Sequence, residues 1–245
     1  MAELVLKDGS KKVFADGISL YDAAKELSNS LAKKVLVAKV NGDVTDLRET
    51  IVDGSTVEFL TFDAQEGKDT LRHTASHIMA QAVQRLFKDV KLAIGPSIEN
   101  GFYYDLDAPF AFTPEDLAEI EGEMRKICKE KLKLERFELP REEALKFMEE
   151  REEPYKVELI NDLPADAHIS FYKQGEFVDL CAGPHLDSTG RIKGNAIKLT
   201  ACNAAYWRGD SNRQTLQRIY GVAFPKKEEL DAYLKEREEA LKRDH

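Results

Sequence analysis

This sequence has few cysteines, no long apolar run and no net positive charge. Its 245 residues include three cysteines, Cys128, Cys181 and Cys202, and an odd number without a secretory signal does not support a disulfide framework. No apolar run approaches the roughly 20 residues that cross a bilayer, and the start MAELVLKDGS has neither a basic flank nor an apolar signal core. We therefore expect a cytoplasmic protein whose cysteines are free thiols, ligands or core residues.

The composition is that of a folded globular protein. Hydrophobic residues make up 42% of the chain and charged residues 33%, which excludes a disordered or fibrous protein. The length allows one large domain or two modest ones. Repeats and low-complexity tracts are absent from the sequence.

Positive charge is concentrated in one segment, although the whole chain carries a net charge of -9. Residues 188–227 contain eight lysines and arginines and one acid, Asp210, with Tyr206, Trp207 and Tyr220 among them. A surface that follows phosphates and stacks on bases needs this combination. Basic residues on solvated strand faces would give the same pattern, so both interpretations stay open.

The first sixty residues or so are predicted to form a small separate unit. Two short alternating strands flank Asp8-Gly9, a pair suited to a hairpin turn. A helix over SLYDAAKELSNSLAKK follows, and the segments KVLVAKVNG and STVEFLTFD then predict further strands. The result is a mixed sheet crossed by one helix, with a boundary between Phe62 and Asp69.

The rest of the chain mixes helices and strands. A helix containing two histidines comes first, and a long helix over TPEDLAEIEGEMRKICKEKLKLE follows, with Thr113 as N-cap and Pro114 in its first turn. Cys128 is interpreted as a packed thiol of this helix. Strands are predicted in HISFYKQGEFVDLCAG, NAIKLTACNAAYWRG and LQRIYGVAF. The last segment, KKEELDAYLKEREEALKRDH, predicts a helix without a cap, as expected of a piece of a longer protein.

His73 and His77 lie four residues apart in a segment with helical periodicity. At about 100° per residue the apolar residues of this helix fall on one stripe, namely Leu71, Ala75, Ile78, Met79, Ala82 and Leu86. The two histidines fall on the opposite face, together with Ala80. Because a packed core histidine would lie within the stripe, we expect a solvated pair or a pair that lines a cleft.

The motif EFVDLCAGPH adds two side chains of the same kind. Alternation along a strand places Asp179 and Cys181 on one face, and the turn that follows places His185 just beyond them. With His73 and His77 they supply three nitrogens and one sulfur, a donor set suited to zinc. The same groups could instead bind an ester and its attacking water without metal, with a neutral imidazole as base. Both alternatives stay open.

Longer motifs resemble one known family. RHTASHIMAQAV, GPSIENGFYYD, PYKVELI, GEFVDLCAGPHL, ACNAAYWRGD and LQRIYGVAFP occur in the order and approximate spacing of the N-terminal half of threonyl-tRNA synthetases. The resemblance covers essentially the whole chain. One departure is Ala182, where the family more often has arginine.

The resemblance implies an α+β protein in three parts. Residues 1–63 would form a ubiquitin-like (β-grasp) TGS domain, residues 64–225 an editing domain, and residues 226–245 a linker helix towards the synthetase catalytic domain. The editing domain of this family hydrolyses serine wrongly attached to tRNA(Thr), whereas the full-length enzyme ligates threonine to tRNA(Thr) using ATP. ATP, magnesium and a zinc ion are implied for the catalytic domain, so no aminoacylation is expected from these residues.

The resemblance also implies roles for particular residues. The catalytic residues would be His73, Lys156 and Asp179, and the substrate would be bound by His77, Tyr104, Cys181 and His185. Without the resemblance, Lys156 would be interpreted as a solvated helix lysine. Since threonyl enzymes edit without zinc, no cofactor is expected, and the alternative is zinc held by His73, His77, Cys181 and His185.

The implied partner is tRNA(Thr) carrying serine, and no membrane is expected. Contacts to the tRNA are predicted for Arg208, Arg213 and Arg218. The full-length enzyme would be a homodimer through its catalytic domain, and this region a monomer. Two rival functions are a freestanding zinc-dependent deacylase of the alanyl-tRNA type and a non-catalytic tRNA-binding module.

Overall fold

The computed structural model describes residues 1–244, which fold into two compact units. The first unit comprises residues 1–71 and the short segment 183–187, and the second comprises residues 72–182 and those from 188 onward. The predicted domain limits at residues 63 and 225 remain predictions. Throughout residues 1–244, every helix is too short or too polar to cross a membrane.

The first unit contains a five-stranded mixed sheet and two short helices. Their bounds are β1 Ala2–Leu6, β2 Lys11–Phe14, α1 Leu20–Leu27, α2 Asn29–Lys34, β3 Val37–Val40, β4 Asp43–Thr45 and β5 Thr56–Leu60. The strand order is β2-β1-β5-β3-β4, with β1 and β5 parallel and the other neighbours antiparallel. The predicted hairpin at Asp8-Gly9 is confirmed, since Gly9 has a φ of +86° that suits glycine. The predicted β-grasp fold is confirmed.

The single helix predicted over residues 19–34 is wrong. Two helices meet at Ser28, whose backbone is extended and whose side chain accepts a hydrogen bond from the Leu31 amide at 3.2 Å. Ser19 caps α1 in the same way through the Asp22 amide. A serine hydroxyl that can satisfy the amides of a new first turn favours a fresh helix start over continuation.

The second unit is a mixed α+β arrangement with two sheets. Its helices are α3 Gln65–Leu86 (which begins within the first unit's residues), α4 Pro114–Glu130, α5 Arg141–Glu150, α6 Pro154–Asp162 and α7 Lys227–Arg243. Its strands are β6 Lys91–Leu92, β7 Ser97–Ile98, β8 Gly101–Asp107, β9 Leu134–Leu139, β10 Ile169–Gln174, β11 Phe177–Leu180, β12 Ile197–Tyr206 and β13 Thr215–Ala223. One sheet has the order β11-β10-β9, and the other has the order β12-β13-β8-β6 with β7 also paired to β8.

The helix α4 begins as predicted and ends early. Thr113 and Asp116 form a reciprocal capping box, with Pro114 in the first turn. The helix ends at Lys131, whose left-handed backbone has a φ of 51°, and the residues LERFEL form β9 instead of the last predicted helical turn. Backbone pairing of β9 with β10 over six residues decides this end. Cys128 is buried as predicted, and burial raises the pKa of its thiol to about 12.

Candidate functional site

The histidine helix α3 is buried on both faces along its centre. The predicted apolar stripe is confirmed from Leu71 to Ala82, whereas Leu86 is 38% exposed because it lies at the helix end. On the opposite face Ala80 is fully buried and His77 is 2% exposed, and His73 is half-buried. A solvated histidine pair is therefore excluded. The His77 ring instead lies near the rings of Tyr104 and Phe177.

Side chains from α3 and from the end of β11 meet at these histidines. The His73 and His77 rings are 4.9 Å apart between centroids, edge to face, and His73 Nε2 lies 3.5 Å from Cys181 Sγ. The ligand atoms of His73, His77 and Cys181 all lie within 4.8 Å of one another. By donor type these three residues can hold a metal ion, since two imidazoles and a thiolate are ligands that zinc accepts.

A buried ion pair adjoins the histidines. Lys156 Nζ on α6 lies 2.7 Å from Asp179 Oδ1 on β11, and the two side chains are 3% and 2% exposed. Asp179 Oδ2 accepts a hydrogen bond from the Tyr104 hydroxyl at 2.7 Å and lies 3.3 Å from His77 Nε2. The interpretation of Lys156 as a solvated lysine is therefore wrong, because α6 turns this side chain into the interior.

Lys156 has a second fixed partner and a ring beside it. Its Nζ donates to the Ala93 carbonyl oxygen at 2.6 Å in the interior and lies 5.5 Å from the centre of the Tyr104 ring. A cation near an aromatic face gains further electrostatic stabilisation. The Lys156 side chain is thus held from three directions.

Burial and charge set the protonation of the cluster. Burial, opposed by Asp179, lowers the pKa of His77 to about 3, so its imidazole is neutral at physiological pH. Burial alone would raise the pKa of Asp179, but Lys156 and His77 outweigh it and hold the carboxyl below its ordinary 3.8. Burial and the neighbouring Asp179 raise the pKa of Tyr104 well above 10. At pH 7 the cluster therefore contains an ionised carboxylate beside a neutral imidazole and a neutral phenol.

His185 lies in segment 183–187 of the first unit and is fully buried. Its backbone N–H donates to Asp46 Oδ1 at 2.7 Å. Arg48 donates to the carbonyl oxygen of the next residue, Leu186, at 3.0 Å, and Asp46 and Arg48 are 3.4 Å apart. Asp46 and Arg48 therefore fix the backbone that presents this imidazole.

The second unit's cluster therefore contains groups suited to hydrolytic chemistry. The ionised Asp179 accepts a hydrogen bond from Tyr104 and faces Nε2 of the neutral His77, and the half-buried His73 and Cys181 lie at the more open side. Neutral imidazole and carboxylate are the groups that general base catalysis of ester hydrolysis uses. Groups with strongly shifted pKa values that are gathered in one place are typical of functional sites.

Comparison with known proteins fits this arrangement. Residues 3–61 match the TGS domain family, and residues 169–220 match the family described as "Threonyl and Alanyl tRNA synthetase second additional domain". A threonine–tRNA ligase of Clostridium kluyveri is 60% identical over 245 residues, which are 100% of this chain and 38% of that protein. The chain belongs to the threonyl-tRNA synthetase family. It corresponds to the N-terminal editing region of these enzymes.

Two further relatives give the same result. The threonine–tRNA ligase of Acetivibrio thermocellus is 58% identical over 245 residues, covering 100% of this chain and 38% of the relative. That of Caldanaerobacter subterraneus subsp. tengcongensis is 58% identical over 242 residues, covering 99% and 37%. The chain thus spans about two fifths of the length of the curated relatives it matches. The predicted resemblance to threonyl-tRNA synthetases is confirmed.

The three arginines predicted to contact tRNA all have acidic partners in this threonyl-tRNA synthetase region. Arg213 lies 2.6 Å from Glu158, and Arg208 pairs with Asp162 and lies 3.6 Å from Glu158. Arg218 forms two hydrogen bonds with Asp105, at 2.7 and 2.9 Å. These acids come from outside residues 188–227, so the local charge count overstates the basic character of this surface. The tRNA contacts remain a prediction.

Sequence patterns gave no signal for several groups that support the site. Ser76 Oγ lies 2.7 Å from the His73 carbonyl oxygen and 2.8 Å from the Gly95 carbonyl oxygen. A Cβ on Gly95 would lie 2.0 Å from the Tyr104 ring. Ala93 contributes its backbone carbonyl alone, which a sequence does not reveal. The pair Gly95-Pro96 after a short strand was the one available indication of a close approach.

Proposed function

We propose that this region hydrolyses the ester bond of seryl-tRNA(Thr), releasing serine and tRNA. The observation that carries the proposal is the buried Asp179 carboxylate, bound by Lys156 and Tyr104 and adjacent to His77, with His73 and Cys181 at its more open side. Such a cluster is costly to bury unless its groups are paired. The gathering of these paired polar groups at one point in the interior supports a catalytic role.

The substrate follows from the chemistry of threonine selection. A synthetic site that accepts threonine cannot exclude serine strongly, because one missing methyl group changes binding by about 1–3 kcal/mol. A second pocket can admit serine and reject threonine by a steric clash with the extra methyl. The ligation of threonine using ATP would belong to the parts of the full-length relatives that this chain does not match, as would their dimerisation. Cytoplasmic location is likewise an expectation.

The proposed reaction uses the cluster as follows. Water adds to the ester carbonyl carbon, the bond from that carbon to the ribose oxygen breaks, and the ribose oxygen takes a proton. His73 accepts the proton of the water and returns it to the leaving oxygen. Lys156 and Asp179 orient the water and bind the serine amine and hydroxyl. His77 and Cys181 shape the pocket, a role that the family resemblance also implies for His185, and Tyr104 holds Asp179.

Substitution of His73 tests this function. We expect His73→Ala to lower the deacylation rate of seryl-tRNA(Thr) at least about 100-fold, since general acid-base catalysis contributes 10²–10⁴-fold. The thermal unfolding midpoint should stay within a few degrees, because His73 is half-buried and outside the apolar stripe. His168→Ala, at a side chain 83% exposed, is the matched control. Full activity of His73→Ala would exclude this residue from the mechanism.

The substrate is tested with three charged tRNAs. Time courses with seryl-, threonyl- and alanyl-tRNA should show rapid loss of serine, with threonine and alanine retained. Faster loss of alanine would favour the alanyl-type deacylase instead. Binding of tRNA with steep salt dependence but without turnover would favour a non-catalytic module.

A metal-free reaction is proposed, and zinc is the alternative. The predicted ligands of that alternative are His73, His77, Cys181 and His185, and bound zinc would polarise the ester carbonyl. We expect deacylation to persist after exhaustive chelation, with metal content measured in the same sample. Loss of activity that zinc restores would instead establish a metal-dependent site.

A further inference from the structure

Glu153 is a buried acid beside the site that no sequence pattern indicated. It directly precedes α6 and is 5% exposed. Its Oε2 accepts a hydrogen bond from the Leu92 backbone N–H at 3.0 Å in the interior. A carboxylate is rarely buried to satisfy one backbone amide, because removing its charge from water is costly. Its position therefore needs an explanation.

Glu153 and Lys156 bind backbone groups of two consecutive residues, Leu92 and Ala93. Glu153 accepts from the Leu92 amide, and Lys156 donates to the carbonyl of Ala93, the next residue, at 2.6 Å. Glu153 is the N-cap residue of α6, and Lys156 lies in the first turn of that helix. One turn at the start of α6 thus holds the segment 92–93 at both a donor and an acceptor.

The other edge of this segment is also fixed. The Ala93 amide donates to the Asp105 carbonyl oxygen on β8 at 2.9 Å. The Ala93 carbonyl consequently has a defined direction, and with Asp179 it sets the direction of the Lys156 amino group. Release of the Leu92 amide would let the segment shift and would change the angle at which Lys156 meets Asp179.

We propose that Glu153 is a positioning residue of the deacylase, which anchors residues 92–93 so that the Ala93 carbonyl directs Lys156 towards Asp179. This inference rests on the proposed function. Glu153 acts through the backbone and through Lys156, and it does not contact the reacting atoms. Since a displacement of about 1 Å at a catalytic group can lower a rate 100-fold, the anchor affects turnover more than substrate affinity.

The charge of Glu153 is poised to respond to pH. Burial raises its pKa to about 7, against the lowering effects of the Leu92 amide, Lys156 and Lys91, while Asp179 raises it. A surface cleft of about 480 Å³ is lined by Lys91, Glu149, Glu152, Glu153, Pro154 and Val157, which gives the carboxyl a route to exchange protons. The protonated acid keeps a carbonyl oxygen that can accept from Leu92, so the anchor persists on both sides of neutrality.

Two substitutions at Glu153 separate the anchor from the charge. Glu153→Gln retains an acceptor oxygen, whereas Glu153→Ala removes it. With seryl-tRNA(Thr), we expect kcat to fall at least tenfold in Glu153→Ala with KM within twofold, and kcat of Glu153→Gln to stay within threefold of the wild type. Glu149→Gln, an exposed acid on the same cleft, is the control and should be unchanged.

Two outcomes would overturn the inference while the wild-type enzyme is active. They are a normal kcat in Glu153→Ala, and a loss in Glu153→Gln as large as that in Glu153→Ala. An inactive wild type with every tRNA tested would reject the proposed function instead. The inference then fails as a statement about catalysis, whereas the anchor itself is still measurable.

Amide NMR measures the anchor without turnover and without the alanine variant. The Leu92 amide resonance of the wild type should titrate with a midpoint near 7, and this titration should vanish in Glu153→Gln while the slow hydrogen exchange of the amide is kept. A Leu92 amide that exchanges rapidly in the wild type and in Glu153→Gln alike would show that Glu153 does not hold the segment.

Discussion

Lys156 and Asp179 form an ion pair where almost no solvent reaches them. A buried ion pair is weak evidence for stability, because its desolvation can exceed the Coulombic gain, and well-packed apolar residues are often as stable. Here the pair is tied to Tyr104 and to the Ala93 carbonyl, which offsets part of that loss. The pair and its hydrogen bonds are better explained by a need for fixed geometry than by a need for stability.

Gly95 provides a test of how tightly this geometry is packed. In Gly95→Ala the new Cβ would lie 2.0 Å from the Tyr104 ring, so the ring that holds Asp179 must move. We expect a loss of about 1–3 kcal/mol in the free energy of unfolding, the usual range for overpacking, together with slower deacylation. Chemical denaturation and a seryl-tRNA time course measure the two effects.

Gly122→Ala is the matched control for that substitution. Gly122 lies within α4, and the nearest atom to an added Cβ is the end of the Arg125 side chain at 3.8 Å. Alanine there should leave activity unchanged and raise stability by up to about 1 kcal/mol through helix propensity. Equal stability and activity for Gly95→Ala and Gly122→Ala would contradict the proposed contact.

The segment 183–187 has no regular secondary structure, and side-chain hydrogen bonds hold its backbone instead. Asp46 accepts from the His185 amide and Arg48 donates to the Leu186 carbonyl. Hydrogen bonds to charged groups contribute more than neutral ones, about 1.5–3 kcal/mol each. The side chains of Asp46 and Arg48 therefore provide hydrogen bonds that a neighbouring strand would provide in a sheet.

Loss of the hydrogen bond between Asp46 and the His185 amide, called the clamp below, should make the backbone of residues 183–187 more mobile. We expect Asp46→Ala to raise the hydrogen exchange rate of the His185 amide at least tenfold, consistent with that energy. Asp43→Ala, at an exposed residue of β4, should leave the rate unchanged. Amide exchange followed by NMR measures both variants, and an unaltered His185 rate in Asp46→Ala would mean that the clamp does not hold the backbone.

The segment 188–227 is less positive on the folded surface than its sequence suggests. The segment 188–227 has eight cations and one acid, but Glu158 and Asp162 on α6, Asp105 on β8 and Glu121 on α4 lie against four of those cations. The pairs of Arg208 and Arg213 are partly exposed, and pairs of that kind contribute little to stability. Their main effect is to lower the positive potential that would attract a polyanion.

Removal of Glu158 should expose that potential. We expect Glu158→Gln to bind tRNA several-fold more tightly at low salt, because Arg208 and Arg213 lose a partner, and to steepen the salt dependence by about 0.9 per added phosphate contact. Glu135→Gln makes the same change in net charge at an exposed residue of β9. Equal tRNA affinity of the two variants over a salt series would exclude this surface as a tRNA contact.

Much of the fold followed from short-range chemistry. The hairpin at Gly9, the capping box at Thr113 and the apolar stripe of α3 each depend on neighbours within a few residues. The motifs around His73, His77 and Cys181 also identified the family. The two helix bounds that were wrong have separate causes, because the Ser28 side chain caps a new helix and the residues after Lys131 pair with β10 as a strand.

Local pattern along the chain was therefore enough to predict a mixed sheet crossed by a helix and the residue types of the site, and the family resemblance added the β-grasp and α+β architecture. Packing between distant elements determined that His77 and Lys156 are buried, that Tyr104 binds Asp179, and that acids neutralise the basic segment. The physical reason is that protonation, desolvation and ion pairing depend on distances between groups far apart in sequence, and folding alone sets those distances.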